Sequence, residues 1–329
     1  MRKRGRKERA ASGRNAGHGR VVPVLTGLLA LLLCFSGCGG ERAGGKLKVA
    51  VDIFPLADFC RRVGGEHVEV EVLVPPGASP HTYELTSGQM KYLSEADLVV
   101  VNGLGLTPWA EEVMARAGNP NARFLKAGEA VPVSRLLPAA GGVEDGGQGE
   151  ESGRVEEVYD PHVWLDPQLA AFMVRSVEEA LAGIDPGHAA SYRAGAERFL
   201  EELEELDREI AETTASFARR EFISFHSTWT YFARRYDLRQ VGLIEEQPGK
   251  EPSLGEIASL VDLAQSRGVT AIFAEPQFNP RVAEAVAEES GGRVGVWILD
   301  PLGDPADPEK DSYPSLMRHN LRVMGEALD

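Results

Sequence analysis

Along residues 46–103 the spacing of apolar and polar positions changes repeatedly. KLKVAVDI (46–53) alternates with the period of a strand, and a helical stretch follows through Phe59 and stops at Gly64-Gly65. VEVEVLV (68–74) alternates again and runs into the loop PPGASPHTYEL; SGQMKYLSEA then reads as a helix and DLVVVNG as an apolar strand. This β-α-β-α-β order predicts a mostly parallel sheet covered by helices, because parallel neighbours need a crossover between them. A second series starts at EFISF (221–225) and continues with helix STWTYFARRYDL, strand RQVGLI, helix LGEIASLVDLAQSRG, strand VTAIFAEP, helix PRVAEAVAEESGG and strand RVGVWILDP, closing in a helix over about 315–328. The two series share an architecture without an alignable sequence repeat.

Between them VWLDP leads into the helical PQLAAFMVRSVEEALAGI, and a second helix is predicted over 189–219. Its apolar positions Tyr192, Phe199, Leu203, Leu206, Ile210 and Phe217 keep one stripe at helical spacing. At ~1.5 Å per residue such a helix reaches roughly 45 Å, longer than one small domain needs. It reads as a rigid strut shared by two lobes; a coiled-coil partner is the alternative, but the stripe covers few heptads. With 329 residues, more than one core usually organises, the expected fold is α/β: two lobes with mostly parallel sheets flanked by helices, joined by one long rigid helix. The N-terminal lobe spans 46–187, the linking helix 188–220 and the C-terminal lobe 221–329.

Composition is ordinary for a globular chain, 43% apolar and 26% charged, but the charge is not evenly spread. Of the formal net charge of −15, residues 1–37 carry about +7, leaving about −22 on the rest. A surface that acidic repels phosphate backbones, so nucleic acid is not an expected partner. The basic start precedes the 17-residue apolar run VVPVLTGLLALLLCFSG, which is short for a spanning helix and matches a secretory signal over 1–37. The run ends in Phe35-Ser36-Gly37-Cys38 followed by the Gly-rich tether 38–45, which resembles a bacterial lipobox even though Phe35 replaces the usual Leu. Cys38 is therefore the expected lipidation site, with a simple cleaved signal as the alternative. Two or three acyl chains suffice for stable anchoring, so an extracytoplasmic, membrane-anchored protein is expected. Cys34 lies in the signal, which leaves Cys60 in PLADFCRRVGG as a small buried hydrophobe and provides neither a disulfide framework nor a thiolate metal cluster. Residues 141–160 combine six glycines and seven acids against the single Arg154, the composition of a mobile acidic surface loop.

Three histidines sit where a strand gives way to a loop or helix: His81 in PGASPHTYE, His162 in YDPHVWLDP and His226 in ISFHSTW. Asp300, at the end of GVWILDPL, has the same topological position. Carboxyl-end loops of open α/β sheets are where ligands bind. Three neutral imidazoles and a carboxylate suit Zn²⁺. Each residue also has an ordinary structural reading, a surface or capping histidine or, for Asp300, a turn before Pro301. His67, His188 and His319 lie at a strand edge, a helix start and the terminal helix and are assigned no metal role.

The order of PGASPHTYEL, DPHVWLDP, FHSTWTYFARRYDL, EEQPGKEPS, FAEPQF and ILDPL, over about residues 46–329, resembles the cluster A-I metal-binding lipoproteins of bacterial ABC transporters, of the zinc-uptake type. The resemblance implies two α/β lobes joined by a long helix, with metal bound between them by His81, His162, His226 and Asp300, one pair from each lobe. It implies capture of Zn²⁺ as transported ligand, with Mn²⁺ or Fe²⁺ as alternatives, and delivery to a permease coupled to a cytoplasmic ATPase, by a monomer. Two departures stand out. Where many zinc-binding members carry a His-rich loop, residues 141–160 have carboxylates and no histidine; and His226 stands where manganese-binding members commonly have Glu, which favours zinc. Four protein ligands would leave no open position for an activated water, and no HExxH-type base is present, so an enzyme is not expected. A surface zinc hydrolase and an adhesin are the rival readings. Glu84, Asp166 and Glu275 are candidate acceptors that hold the imidazoles, each with a helix cap or surface salt bridge as the plainer alternative.

Overall fold

The first series begins with β1 (Leu47–Val51), which passes into α1 (Phe54–Gly64), β2 (Val68–Val72), α2 (Ser87–Glu95) and β3 (Leu98–Val101). The computed structural model describes residues 45–110, 112–113, 119–139, 158–246 and 249–329. The signal, the tether and Cys38 lie outside them, as do residues 140–157 of the acidic loop. No helix among the described residues is long and apolar enough to cross a membrane.

Both series form the expected parallel sheets. The first has the order β2-β1-β3-β4, with β4 (Arg123–Lys126) an edge strand that the pattern did not signal. Its residues RFLK are exposed or half-buried, so no apolar alternation marks them. Next come α3 (Pro167–Ile184) and the long α4 (Ala189–Ala215). The second sheet contains β5 (Glu221–Ser224), β6 (Arg239–Leu243), β7 (Ala271–Ala274) and β8 (Gly295–Ile298) in the order β6-β5-β7-β8, the same topology again. Its helices are α5 (Thr230–Arg235), α6 (Leu254–Arg267), α7 (Arg281–Glu289) and the closing α8 (Tyr313–Leu328).

The period-2 alternation decides which core each strand side enters. On β3, Leu98 and Val100 join the large central core while Val99 and Val101 enter a smaller cluster under α2. On β7, Ala271 and Phe273 face the same central core and Ile272 and Ala274 a third cluster under α6 and α7. The central core is continuous from β1 through α3 and α4 to Phe222, Leu299 and Leu328, so both sheets share it.

The helix α4 makes this sharing possible. Its stripe Tyr192, Phe199, Leu203, Leu206 and Ile210 is buried as expected, and it packs against α1, α3 and α8. Contact with α1 is close because of Gly195, where an added Cβ would stand 2.6 Å from the Val63 carbonyl oxygen. The helix ends at Ala215, four residues before the expected 219, yet Phe217 beyond it is still buried. Polar bonds add a second layer of connection. Trp164 Nε1 donates to the Pro301 carbonyl (2.8 Å), Tyr313 Oη to the Trp164 carbonyl (2.6 Å) and the Tyr313 amide to Asp58 Oδ2 (2.9 Å).

The acidic segment is corrected at its C-terminal end. Val158–Asp160 does not belong to a mobile loop: Ala139 N donates to Val158 O (2.9 Å), Asp160 N donates to Leu137 O (2.8 Å), and Asp160 is buried. Backbone pairing to Pro138 at Tyr159 overrides the local composition there.

A core common to both sheets should unfold as one unit. Leu206→Ala, at a fully buried position of α4, is expected to cost about 2–5 kcal/mol. Leu254→Ala, which is 86% exposed, should stay within about 0.5 kcal/mol of wild type. Urea unfolding followed by far-UV circular dichroism and by tryptophan fluorescence should give coincident curves, and separated curves would show that the sheets unfold independently.

Candidate metal centre

Each of the three histidines is presented by a different kind of turn. His81 lies in the loop after β2, where the Ser79 carbonyl accepts from the amides of Thr82 (3.2 Å) and Tyr83 (3.0 Å). His162 precedes the short 3₁₀ turn Val163–Leu165, and its own amide donates to Asp160 Oδ1 (3.0 Å). His226 stands two residues past β5 and opens the 3₁₀ turn Ser227–Trp229, with its carbonyl held by Ser224 Oγ (2.8 Å).

The three rings meet between the two sheets. Nε2 of His162 lies 3.3 Å from Nε2 of His81 and 3.3 Å from Nε2 of His226, and all three ligand atoms fall within 4.8 Å of one another. Two nitrogens bound tetrahedrally to one zinc at about 2.0–2.1 Å stand roughly 3.3–3.4 Å apart, so the spacing fits a shared ion. The cavity here holds about 10 Å³, room for one ion-sized occupant, and its walls include Trp164, Phe278, Pro301 and Leu302.

Carboxylates fix which nitrogen carries the proton. His162 Nδ1 lies 2.7 Å from Asp160 Oδ1, and His226 Nδ1 lies 2.7 Å from Glu275 Oε1, all four groups buried. The Thr228 hydroxyl donates to Glu275 (3.1 Å) and steadies that carboxylate. A proton on each Nδ1 leaves the Nε2 lone pairs of His162 and His226 facing each other, the tautomer a metal ligand requires, with the Thr228 hydroxyl also 2.7 Å from His226 Nε2. Asp160 Oδ2 is buried without a hydrogen-bond partner, so the polar contacts of this carboxylate run through Oδ1 to His162. Burial, and next the rings of His162 and His226, push the pKa of His81 down to about 2, so this imidazole is neutral at pH 7.

The remaining candidates divide. Glu275 is the candidate that contacts an imidazole, that of His226. Glu84 is exposed and takes no part in the cluster. Asp166 caps α3 through the Gln168 amide (2.8 Å), the plainer reading of that residue, and burial raises its pKa to about 6. Asp160, counted among the loop acids, fills the role proposed for them; its signal was the Asp-Pro-His spacing, two residues from the imidazole. Asp300 is buried beside the cavity but outside the group of converging atoms. Its Oδ1 accepts from the amides of Leu302 (3.0 Å) and Gly303 (2.9 Å), and its Oδ2 accepts from Lys310 Nζ (3.1 Å). Cys60 is buried with its thiol pushed up to about 12, in keeping with a small hydrophobe.

Two parallel sheets of identical topology, one long helix and imidazoles converging between the sheets define a bilobed metal-binding protein of α/β architecture. Residues 49–327 match the family described as ZnuA, zinc-uptake complex component A, periplasmic, and the chain belongs to that family. It is 29% identical over 318 residues to the manganese-binding lipoprotein MntA of Bacillus subtilis, covering 94% of this chain and 99% of that one. Among solved structures, a crystal structure of ZnuA aligns with a TM-score of 0.74 at 34% identity, covering 86% of this chain and all of the other. The periplasmic zinc-binding protein TroA of Treponema pallidum aligns with a TM-score of 0.76 at 26% identity, covering 86% and 99%.

If the carboxylates orient the imidazoles, Asp160→Asn and Glu275→Gln should each weaken zinc binding about 10–100-fold while the apo protein stays folded, as read by calorimetric titration. An unchanged affinity in both would assign them a packing role only.

The sign of the His81 effect on stability follows from its lowered pKa. Between about pH 6.5, the unfolded value, and about pH 2, the unfolded chain binds a proton there that the folded chain refuses. Stability contributed at this position is therefore present above pH 6.5 and lost as pH falls below it. The metal-free His81→Gln variant should lose less melting temperature than wild type between pH 7 and pH 5; equal slopes would contradict the lowered pKa.

Proposed function

We propose that this chain is the extracytoplasmic receptor of a divalent-metal importer: it captures Zn²⁺ between its two lobes and delivers it to an ABC permease driven by a cytoplasmic ATPase. The observation that carries the reading is the 3.3 Å convergence of imidazole nitrogens whose protons are held elsewhere by carboxylates. His81, His162 and His226 are the ligands, with Asp300 as the neighbouring oxygen donor. A cavity of about 10 Å³ has room for an ion but none for an organic substrate, which supports capture over the hydrolase reading. Three nitrogen donors favour Zn²⁺, with Mn²⁺ and Fe²⁺ as competing cargo. Cys38 is the proposed lipid anchor, holding a monomer at the membrane near its permease.

The shared core limits how far the lobes can swing. Release therefore calls for a local rearrangement of the ligand-bearing loops imposed by the permease, with protonation or displacement of an imidazole as the elementary step.

Metal-stripped protein should melt higher on adding zinc, by the equivalent of about 2.7 kcal/mol at a free concentration 100 times Kd. His162→Ala or His226→Ala should abolish most of that gain, and His188→Ala and His319→Ala should leave it intact. A His226→Ala protein with wild-type zinc affinity would overturn the proposed site.

A further inference from the structure

Just past β1, Asp52 is fully buried, and the hydrogen bonds its side chain receives come from neutral donors. Oδ1 accepts from the Ile53 amide (2.8 Å); Oδ2 accepts from the Asn102 amide (2.9 Å) and the Thr107 hydroxyl (3.3 Å). A buried carboxyl group held without a cation costs stability, so packing alone gives no reason for it. Its place in the fold does. The Asp52 amide donates to the Val100 carbonyl (3.2 Å), and its carbonyl accepts from the Val74 amide (2.9 Å), so residue 52 ties β3 to the loop that leads to His81.

Asn102, held by that carboxyl group, reaches the turn that carries His162. Its Nδ2 donates to the Gly103 carbonyl (3.0 Å) and to the Pro161 carbonyl (2.9 Å), and two acceptors at one end of the carboxamide identify that end as the NH₂ group. Among the described residues Asn102 Oδ1 has no hydrogen-bond partner although it is buried, a second polar cost at the same place. The Pro161 carbonyl also accepts from the Val163 amide (2.8 Å), an i to i+2 bond that puts His162, at φ −80° and ψ 37°, at the centre of an open inverse γ-turn. A three-residue turn closed by one such bond leaves its central side chain free to swing. The Asn102 carboxamide removes that freedom by fixing the carbonyl from a different element, while Asp160 holds the ring itself. The chain beyond Asn102 follows a costly path to complete the node. Gly103, Leu104 and Gly105 have φ of +77°, +54° and +80°, and this run of left-handed residues returns Thr107 to Asp52.

We propose that Asn102, set in place by Asp52, is a positioning residue of the metal site: it fixes the Pro161 carbonyl, and with it the direction of His162 Nε2, without lining the cavity. This rests on the reading of the histidines as metal ligands. Losing the Nδ2 donor would let the turn rotate and spoil the 3.3 Å spacing of the nitrogens while every ligand is still present.

The test is Asn102→Ala. Its zinc affinity, read by competition with a chelator of known affinity, should fall about tenfold or more. A readout in the metal-free protein separates positioning from general loosening. The Nδ1 protons of His162, against Asp160, and of His226, against Glu275, give separate proton resonances by nuclear magnetic resonance. Asn102→Ala should shift the His162 signal and leave that of His226 in place. An unchanged zinc affinity, two unmoved signals, or both signals moving together would each overturn the proposal. If Asn102→Ala does not fold, the wild-type protein decides. The Asn102 carboxamide protons should exchange with solvent more slowly with zinc bound than without it, because motion of the His162 turn opens their bond; equal rates would overturn the proposal. A wild-type protein that binds no zinc, with the His162 signal still moved by Asn102→Ala, would instead overturn the receptor reading and leave the positioning of His162 standing.

Discussion

Imidazole nitrogens brought to 3.3 Å repel each other wherever both turn a lone pair inward, unless a cation sits between them. Holding them there requires a scaffold stiff enough to refuse the obvious relief, which is to let the two sheets drift apart. The central core supplies that stiffness. It runs without interruption from the first sheet through α3 and α4 to the second, so moving one lobe against the other would expose packed apolar surface, at about 25 cal/mol for each Å². The long helix packs its apolar stripe into that same core, and Gly195 brings it into backbone contact with α1.

That rigidity shapes the chemistry. A receptor that closes like a hinge could assemble its ligands on binding; here the imidazoles stand assembled, with Asp160 and Glu275 holding the Nδ1 atoms of His162 and His226. In the proposed site, preorganisation removes the ordering cost from capture and makes the nitrogen-to-nitrogen distance itself a filter for ion size. His162 is tied to both sides of the molecule. The carbonyl of its orienting residue Asp160 accepts from Tyr231 Oη of α5 (2.9 Å), and Trp164, two residues on, donates to Pro301. A disturbance of the loops that carry these contacts would therefore reach the ligand directly, which gives a rigid receptor a route to letting go of its ion.

Selectivity is then decided by what is allowed near the three nitrogens. The surface carries a large negative charge, and carboxylates are plentiful in the sequence, yet those at the cavity are already engaged: two on imidazole Nδ1 atoms and one on Lys310. A buried carboxylate held by a partner is a poor ligand until that partner is displaced, and breaking such a pair is costly. Asp160 and Glu275 thus orient nitrogen donors, and Asp300 remains the oxygen donor of the proposed site.

Much of this was legible along the chain. Alternation and helical spacing are local properties, each decided by which face of an element is buried, so both βα series, the α3 helix and the long strut could be read from spacing alone. The same reading placed His81 after β2 and His226 after β5, whereas His162 follows an isolated bridge at Tyr159 rather than a strand. The edge strand β4 escaped it because neither of its faces is fully buried, and Asp160 escaped because its neighbours have loop composition while its backbone is held by pairing to Leu137. Convergence was beyond reach for a different reason. His162 meets partners 81 and 64 residues away, and those distances depend on how two sheets pack on one core, which no period of 2 or 3.6 records. The direction taken by Asp300 depended likewise on a lysine ten residues on, brought back by a glycine turn. The sequence by itself determined the elements and the kinds of donor available; only the tertiary structure decided which donors face the ion, because that is settled by packing between elements rather than within them.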